Sequence, residues 1–279
     1  MPVSISYLGP AGTNAETAAL AYANWLQQST GQQAQLCPYP SIAQSLKAAA
    51  LRQVQIAVVP VENSIEGSVT MTLDTLWQFD DLQIQKALVL PISHALISRS
   101  TNLAEIHSVY SHPQALSQCQ NWLEKFLPAA QLIPTHSTTE ALKYPIADLA
   151  AAAISNQRAA TLYDLPVLEY PIHDNPDNCT RFWALSLEPS PGGNHTSLAF
   201  SVQENVPGAL VKPLQIFAEQ GINLSRIESR PTKRSLGDYL FFVDLEADSH
   251  QTSMQSALQD LATHTETLKL FGSYAVLPV

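Results

Sequence analysis

Along residues 1–187, short apolar runs alternate with stretches whose apolar positions recur every three or four residues. ISYLG, QIAVVPV, HSVYS and QLIPT are apolar enough to be strands buried on both faces. Between them, Ala15–Gln27, Ser41–Gln53, Val69–Phe79, Pro113–Phe126 and a stretch from Thr138 onward carry the helical period. Such alternation predicts α/β sheets with short crossovers. The segment LQIQKALVLPISHALIS (82–98) breaks the rhythm, because it is long, extended in character and free of helix signals. It reads as a strand crossing between two lobes, and VLEYPI (167–172) reads as the return. The prediction is a two-lobed, hinged region over 1–187. Lobe 1 takes about 1–80 and 167–187, and lobe 2 about 81–166.

EPSPGGNHT (188–196) is a linker by its Pro and Gly content. Beyond it the pattern changes. TSLAFSVQ is a strand, and VPGALVKPLQIFAEQG is a helix closed by Gly221. INLSRIESRPT and LGDYLFFVDLEAD are strands, TSMQSALQDLATHTE is a helix, and TLKLFGSYAV is a last strand. The order βαββαβ over 196–279 is the ferredoxin-like split motif.

Composition narrows the partners. The chain has 279 residues, fourteen Lys and Arg, and a formal net charge of −10. Nucleic acid and anionic membrane surfaces call for a basic face, so neither is an expected partner. The three cysteines, Cys37, Cys119 and Cys179, are odd in number and show no CxxC spacing. They suit free thiols in a reducing compartment. The N-terminus shows no signal peptide, and no apolar run approaches about twenty residues. A cytoplasmic location is the expectation.

Candidate chemistry gathers where strands end, which is where α/β sheets bind ligands. In YLGPAGTNAE (7–16), Thr13 and Glu16 form a capping box, and the turn fits either an ordinary helix start or a carboxylate site. In VPVENSIEGSV (59–69), Glu62, Asn63 and Ser64 crowd the end of a buried strand; the alternative is an Asx turn. In VYSHPQALSQC (109–119), Ser111 is a candidate N-cap, with Gln114 and Gln118 one turn apart on a helix face. His112 there fits a base or a structural side chain, and no metal-ligand spacing accompanies it. In THSTTEALK (135–143), Ser137 and Glu140 repeat the capping box. Last, HDNPDNCTRFWAL (173–185) is a polar loop entering an apolar strand at Thr180, Arg181 and Phe182. Residues 1–187 hold only eight Lys and Arg. Arg181 is therefore the main candidate charge for an anionic ligand, with an ion pair to Asp174 or Asp177 as the alternative. Arg158 is a second candidate cation that reads more simply as exposed. No GxSxG, HExxH, GxGxxG or EF-hand pattern occurs, so no cofactor or metal is expected.

In series, YLGPAGT, VPVENSIEGSV, SHPQALSQC, STTEA and NCTRF resemble prephenate dehydratase. GALV (208–211) and ESRP (228–231) resemble the ACT regulatory domain. The resemblance covers essentially the whole chain. It implies a two-lobed, periplasmic-binding-protein-like catalytic region over 1–187 and a ferredoxin-like ACT domain over 196–279. It implies the decarboxylative dehydration of prephenate to phenylpyruvate, on the route to phenylalanine. Thr180 is then the residue most tied to catalysis, with Asn63, Ser111 and Gln118 lining the cleft. Thr13, Ser64, Arg181 and Phe182 stand in matching motifs as substrate-binding candidates. It further implies feedback inhibition by phenylalanine bound between two ACT domains of a homodimer or homotetramer. The implied positions are Gly208, Ala209, Leu210, Val211, Asn223, Leu224, Glu228, Ser229, Arg230 and Pro231. Two departures touch the cleft: Asn14 replaces a common aromatic, and His136 stands where some relatives are acidic. Turnover of arogenate, and a non-catalytic sensor on the same fold, are the rival readings.

Overall fold

A computed structural model of the chain describes residues 2–277. Lobe 1 opens with β1 (Val3–Leu8), α1 (Asn14–Thr30), β2 (Ala34–Tyr39), α2 (Ile42–Ala50) and β3 (Ile56–Asn63). The two-residue β4 (Gly67–Ser68), α3 (Thr70–Leu76) and β5 (Gln83–Pro91) follow. Lobe 2 holds β6 (Ala95–Ile97), β7 (Ser108–Ser111), α4 (Pro113–Ser117), α5 (Gln120–Phe126) and β8 (Gln131–Pro134). It closes with α6 (Lys143–Ala147), β9 (Ala151–Ser155), α7 (Gln157–Leu162) and β10 (Val167–Glu169). The chain then returns to lobe 1 as β11 (Cys179–Ser186). The C-terminal domain is β12 (His195–Val202), α8 (Val211–Glu219), β13 (Leu224–Pro231), β14 (Tyr239–Leu245), α9 (Thr252–Thr263) and β15 (Thr265–Leu277).

Capping residues set the helix starts much as their chemistry dictates. Thr13 accepts from the Glu16 N–H, and Ser41 from the Gln44 N–H. Gly31, at φ 74°, closes α1 in the left-handed region that a side chain resists. The stretch 113–126, whose period suggests one helix, breaks into α4 and α5. Asp174, from the return segment, caps the second piece through the N–H groups of Asn121 and Trp122. Gln118 sits at that break.

Two sheets form. The larger has ten strands in the order β13-β14-β12-β15-β5-β11-β3-β1-β2, with β4 on β3; the smaller runs β10-β6-β9-β7-β8. The lobe boundaries therefore shift. All of β5 pairs with β11 inside lobe 1, while β10 belongs to the second sheet. The outward crossing is residues 92–94 and the return is 170–178, rather than 82–98 and 167–172. Ile84, Ala87 and Leu88 anchor β5 in the lobe 1 core, so the apolar run ends where burial ends.

The C-terminal domain shows the βαββαβ order, with strands paired β13-β14-β12-β15. Its attachment is closer than the linker composition suggests. Ala275, Val276 and Leu277 of β15 pair in parallel with Lys86, Ala87 and Leu88 of β5. One apolar core contains Leu73, Leu76 and Trp183 of lobe 1 together with Leu240, Phe242, Phe271 and Tyr274. Gly193 of the linker lies flat on the β15 backbone, where a Cβ would come 2.1 Å from the Tyr274 carbonyl carbon.

Candidate active site

A cavity of about 850 Å³ lies between the lobes. Its walls come from the turn Leu8–Ala15, the ends of β3 and β11, the outward crossing, and the starts of two helical segments in lobe 2. Thr13, Asn63, Gln118, Thr180 and Phe182 of the sequence candidates line it. Asn14 and His136, the two departures from the family pattern, also line it, with Gln114, His94 and His112. Among the described residues, the lining contains no Lys, Arg, Asp or Glu.

A bulge aims the central pair. Thr180 faces Asn63 across the ladder and Arg181 faces Glu62, but Phe182 faces Pro60, so Val61 is an extra residue in β3. Alternation along a strand would send Pro60 and Asn63 to opposite faces. The extra residue brings both to the cavity. Val61 then turns into the core, where it is fully buried.

The cleft side chains form one hydrogen-bonded chain. The Asn63 Nδ2 group donates to Thr180 Oγ1 at 2.9 Å and to Asn178 Oδ1 at 2.8 Å. Asn178 Nδ2 donates to Gln118 Oε1 at 3.0 Å, and His94 Nε2 meets the same oxygen at 2.9 Å. Asn63 Oδ1 accepts from the N–H groups of Ile65 and Glu66. The chain links β3, β11, α4 and both crossing segments, so it spans the hinge. Burial pushes the His94 imidazole below its ordinary pKa, opposed by its hydrogen bond to Gln118 and aided by the His173 ring.

At the mouth the lobes touch directly. Asn156 Nδ2 donates to Gly12 O and to Asn14 Oδ1 at 3.0 and 2.9 Å. Arg158 of α7 pairs with Glu16 of α1 at 2.9 Å. Glu16 completes the capping motif by accepting from the Gly12 N–H, one residue earlier than the motif's usual partner. Arg158 thus closes the cleft rather than lying free in solvent. Burial and the neighbouring Glu16 push the Tyr7 phenol up to about 12, which keeps it neutral.

Three candidates do not reach the cavity. Ser111 ends β7, fully buried, and donates to Ile154 O at 2.7 Å; it braces lobe 2, and His112 is the N-cap of α4. Ser64 accepts from the Cys179 N–H at 3.0 Å and so fixes the start of β11. Arg181 points to the opposite face from Thr180. There its guanidinium meets Asp244 of the C-terminal domain at 3.1 Å and Glu62 at 3.7 Å. Scarcity marked Arg181 as important, but its partner is a carboxylate of the protein, and neither Asp174 nor Asp177. Among the described residues, no group of three or more His, Cys, Asp or Glu is placed to hold a metal ion.

Two members of the hydrogen-bonded chain carry weak sequence signals. His94 interrupts the apolar run PISHALI, and Asn178 directly precedes Cys179 and Thr180. A lone polar residue inside a buried run is the cue for the first.

The model of the family described as prephenate dehydratase matches residues 5–190, which is most of the chain. The chain belongs to the prephenate dehydratase family. A model described as the ACT domain matches residues 196–263. Among relatives, the bifunctional chorismate mutase/prephenate dehydratase of Aquifex aeolicus is 39% identical over 98% of this chain and 73% of its own length. The prephenate dehydratase of Lactococcus lactis subsp. cremoris is 35% identical over 98% of both chains. The crystal structure of prephenate dehydratase from Arthrobacter aurescens in complex with L-Phe is 33% identical. It superimposes with a TM-score of 0.86 over 98% of this chain and 90% of its own. For a prephenate dehydratase, the charge-free lining is the telling feature, because the substrate is a dianion.

In the ACT domain the candidate residues divide. Gly208 (φ 83°) forms the turn before α8, with Ala209, Leu210 and Val211 following. Asn223 and Leu224 lie beyond the other end of that helix, where Asn223 Nδ2 donates to Glu246 at 2.9 Å. On β13, Ser229 and Pro231 are exposed, while Glu228 and Arg230 are half-buried. Arg230 faces the catalytic lobe and pairs with Asp74 of α3 at 2.8 Å. That ion pair removes Arg230 from the candidates with a free charge.

Proposed function

We propose that this chain converts prephenate to phenylpyruvate and that phenylalanine inhibits it through the ACT domain. The observation that carries the reading is the buried Thr180 hydroxyl. It accepts from Asn63 and so keeps its own hydrogen for a ligand in an interlobe cavity. Prephenate leaves as phenylpyruvate, CO₂ and hydroxide, and the ring becomes aromatic. The driving force lies in the substrate, so the protein needs only to hold it and stabilise the departing hydroxide. A threonine hydroxyl is too weak an acid to surrender its proton outright. Its hydrogen bond to the leaving oxygen strengthens as charge develops, which is the kind of interaction that raises rate. Donors from Gln114 and from the His112 and His136 imidazoles hold the carboxylates without over-stabilising the one that is lost. Relatives that bear the name prephenate dehydratase support prephenate rather than arogenate as the substrate here. Absorbance assay of phenylpyruvate formed from prephenate, with arogenate alongside, tests this. Failure to consume prephenate sinks the reading.

The regulatory site supports a dimer. Gly208–Val211 and Asn223–Leu224 flank α8, a helix of nine residues and so roughly 14 Å long. A single phenylalanine reaches both only where two ACT domains meet head to tail. Val211, Ile227 and Tyr239 are exposed on this domain and supply apolar surface for that contact. Three free thiols suit a cytoplasmic setting. Among the described residues no helix is long and apolar enough to cross a membrane.

Deleting residues 196–279 is expected to leave dehydratase activity and abolish the response to phenylalanine. It also uncovers Trp183, Leu73 and Leu76 and takes β15 away from β5. The melting temperature should fall by about 10 °C or more, given ~1.5–3 kcal/mol per large apolar side chain and ~2–4 °C per kcal/mol. Inhibition that persists in the truncated chain refutes the assignment to the ACT domain.

A further inference from the structure

The orientation of three linked amides, Asn63, Asn178 and Gln118, follows from two backbone groups. Asn63 Oδ1 receives the N–H groups of Ile65 and Glu66, at 3.0 and 3.1 Å, so that atom is the oxygen. Asn63 Nδ2 is then a donor, and Asn178 must offer it Oδ1. Asn178 Nδ2 is therefore the donor to Gln118, and Gln118 must offer Oε1. An amide oxygen only accepts. His94 Nε2, 2.9 Å from that oxygen, must carry a hydrogen. The tautomer of His94 is thus fixed from the far end of the chain.

We propose that His94 is a positioning residue of the dehydration: a neutral N–H donor that anchors Gln118 and, through Asn178 and Asn63, the aim of Thr180. This rests on the prephenate reading above. His94 is 4% exposed and belongs to the outward crossing. Asn178 belongs to the return crossing, and Gln118 ends α4 in lobe 2. The His94 contact therefore ties both hinge segments to one amide. Gln118 has few other restraints: its Nε2 reaches Glu66 Oε1 only at 3.4 Å. The His94 backbone N–H is held by His173 Nδ1 at 3.3 Å, which fixes the imidazole's base. A histidine lining an active-site cavity invites a role as acid or base. This one has its Nε2 hydrogen committed to a carbonyl oxygen, and burial disfavours a second proton.

Geometry makes the two roles separable. A glutamine at position 94 places an N–H at about the reach of Nε2, whereas an asparagine places it nearer the reach of Nδ1. Neither amide titrates. Steady-state kinetics on prephenate with the full chain should show His94→Ala and His94→Asn losing kcat by about 10–100-fold, the scale of a misplaced catalytic group. KM should stay within about threefold, since the loss falls on the transition state. His94→Gln should recover to within about fivefold of the wild type. A glutamine variant as slow as alanine overturns the proposal in favour of proton transfer. An alanine variant with wild-type kcat overturns it as well. Circular dichroism reports folding, and if the alanine chain does not fold, the glutamine–asparagine contrast decides alone. Wild type is assayed first: inactivity on prephenate removes the functional reading and this proposal together, whereas an active wild type isolates His94.

Discussion

Thr180→Ala should lower kcat by about 100–1000-fold with little change in KM, the scale seen when one oxyanion donor is removed. The hydroxyl accepts within the hydrogen-bonded chain and keeps its own hydrogen for the ligand. Asn63 Nδ2 donates to it, and the same nitrogen also reaches Asn178 Oδ1 and Cys179 O at 2.8 and 3.1 Å. Removing the hydroxyl therefore leaves Asn63 anchored and the fold intact. The loss should be confined to the step in which hydroxide departs. Thr180→Ser keeps the donor and frees its rotation, so it should recover to within about tenfold of wild type. The measurement is kcat and KM for both variants beside a thermal melt. A folded alanine variant with near-normal turnover removes Thr180 from the chemistry.

The sequence told the elements more clearly than it told their faces. The βα alternation, the βαββαβ order and the two capping boxes rest on local chemistry, and each is present. Thr180, Asn63 and Gln118 converge because their motifs end strands and helices at the cavity. Ser111 and Arg181 sit in equally good motifs and point elsewhere. Arg181 alternates with Thr180 and so faces away; in β3, which residues reach the cavity depends on one extra residue, Val61, that no local pattern announces. The lobe boundaries differ from the sequence expectation for a related reason: an apolar run shows burial but not which sheet provides it. The joint sheet of β15 and β5 lies beyond local reading altogether, since its partners are nearly 190 positions apart along the chain.

The same limit hid Asp244, whose replacement by alanine should cost about 3 kcal/mol of stability. Its carboxylate is fully buried and takes four donors: Arg226 Nε at 2.7 Å, Arg226 Nη2 at 3.4 Å, Arg181 Nη1 at 3.1 Å and Ser197 Oγ at 2.6 Å. Arg226 also reaches Ser68 of β4 at 3.3 Å and lies over the Trp183 ring at 5.6 Å. Alanine leaves Arg226, whose side chain is 6% exposed, without its counter-charge, and breaking a buried pair costs ~3–5 kcal/mol. The lower end applies because Arg181, 28% exposed, keeps Glu62 and water. The exposed pair Arg234–Glu266, in the same domain, is the contrast: at 57% and 46% exposure its removal should leave the unfolding midpoint almost unmoved. Urea unfolding of the two variants separates a buried junction from a surface contact. A loss below about 1 kcal/mol for Asp244→Ala means that the buried charge cluster adds little to stability. If the larger loss is found, the Asp244 carboxylate is a main support of the junction at Arg181, beside the Arg230–Asp74 pair and the β15–β5 pairing.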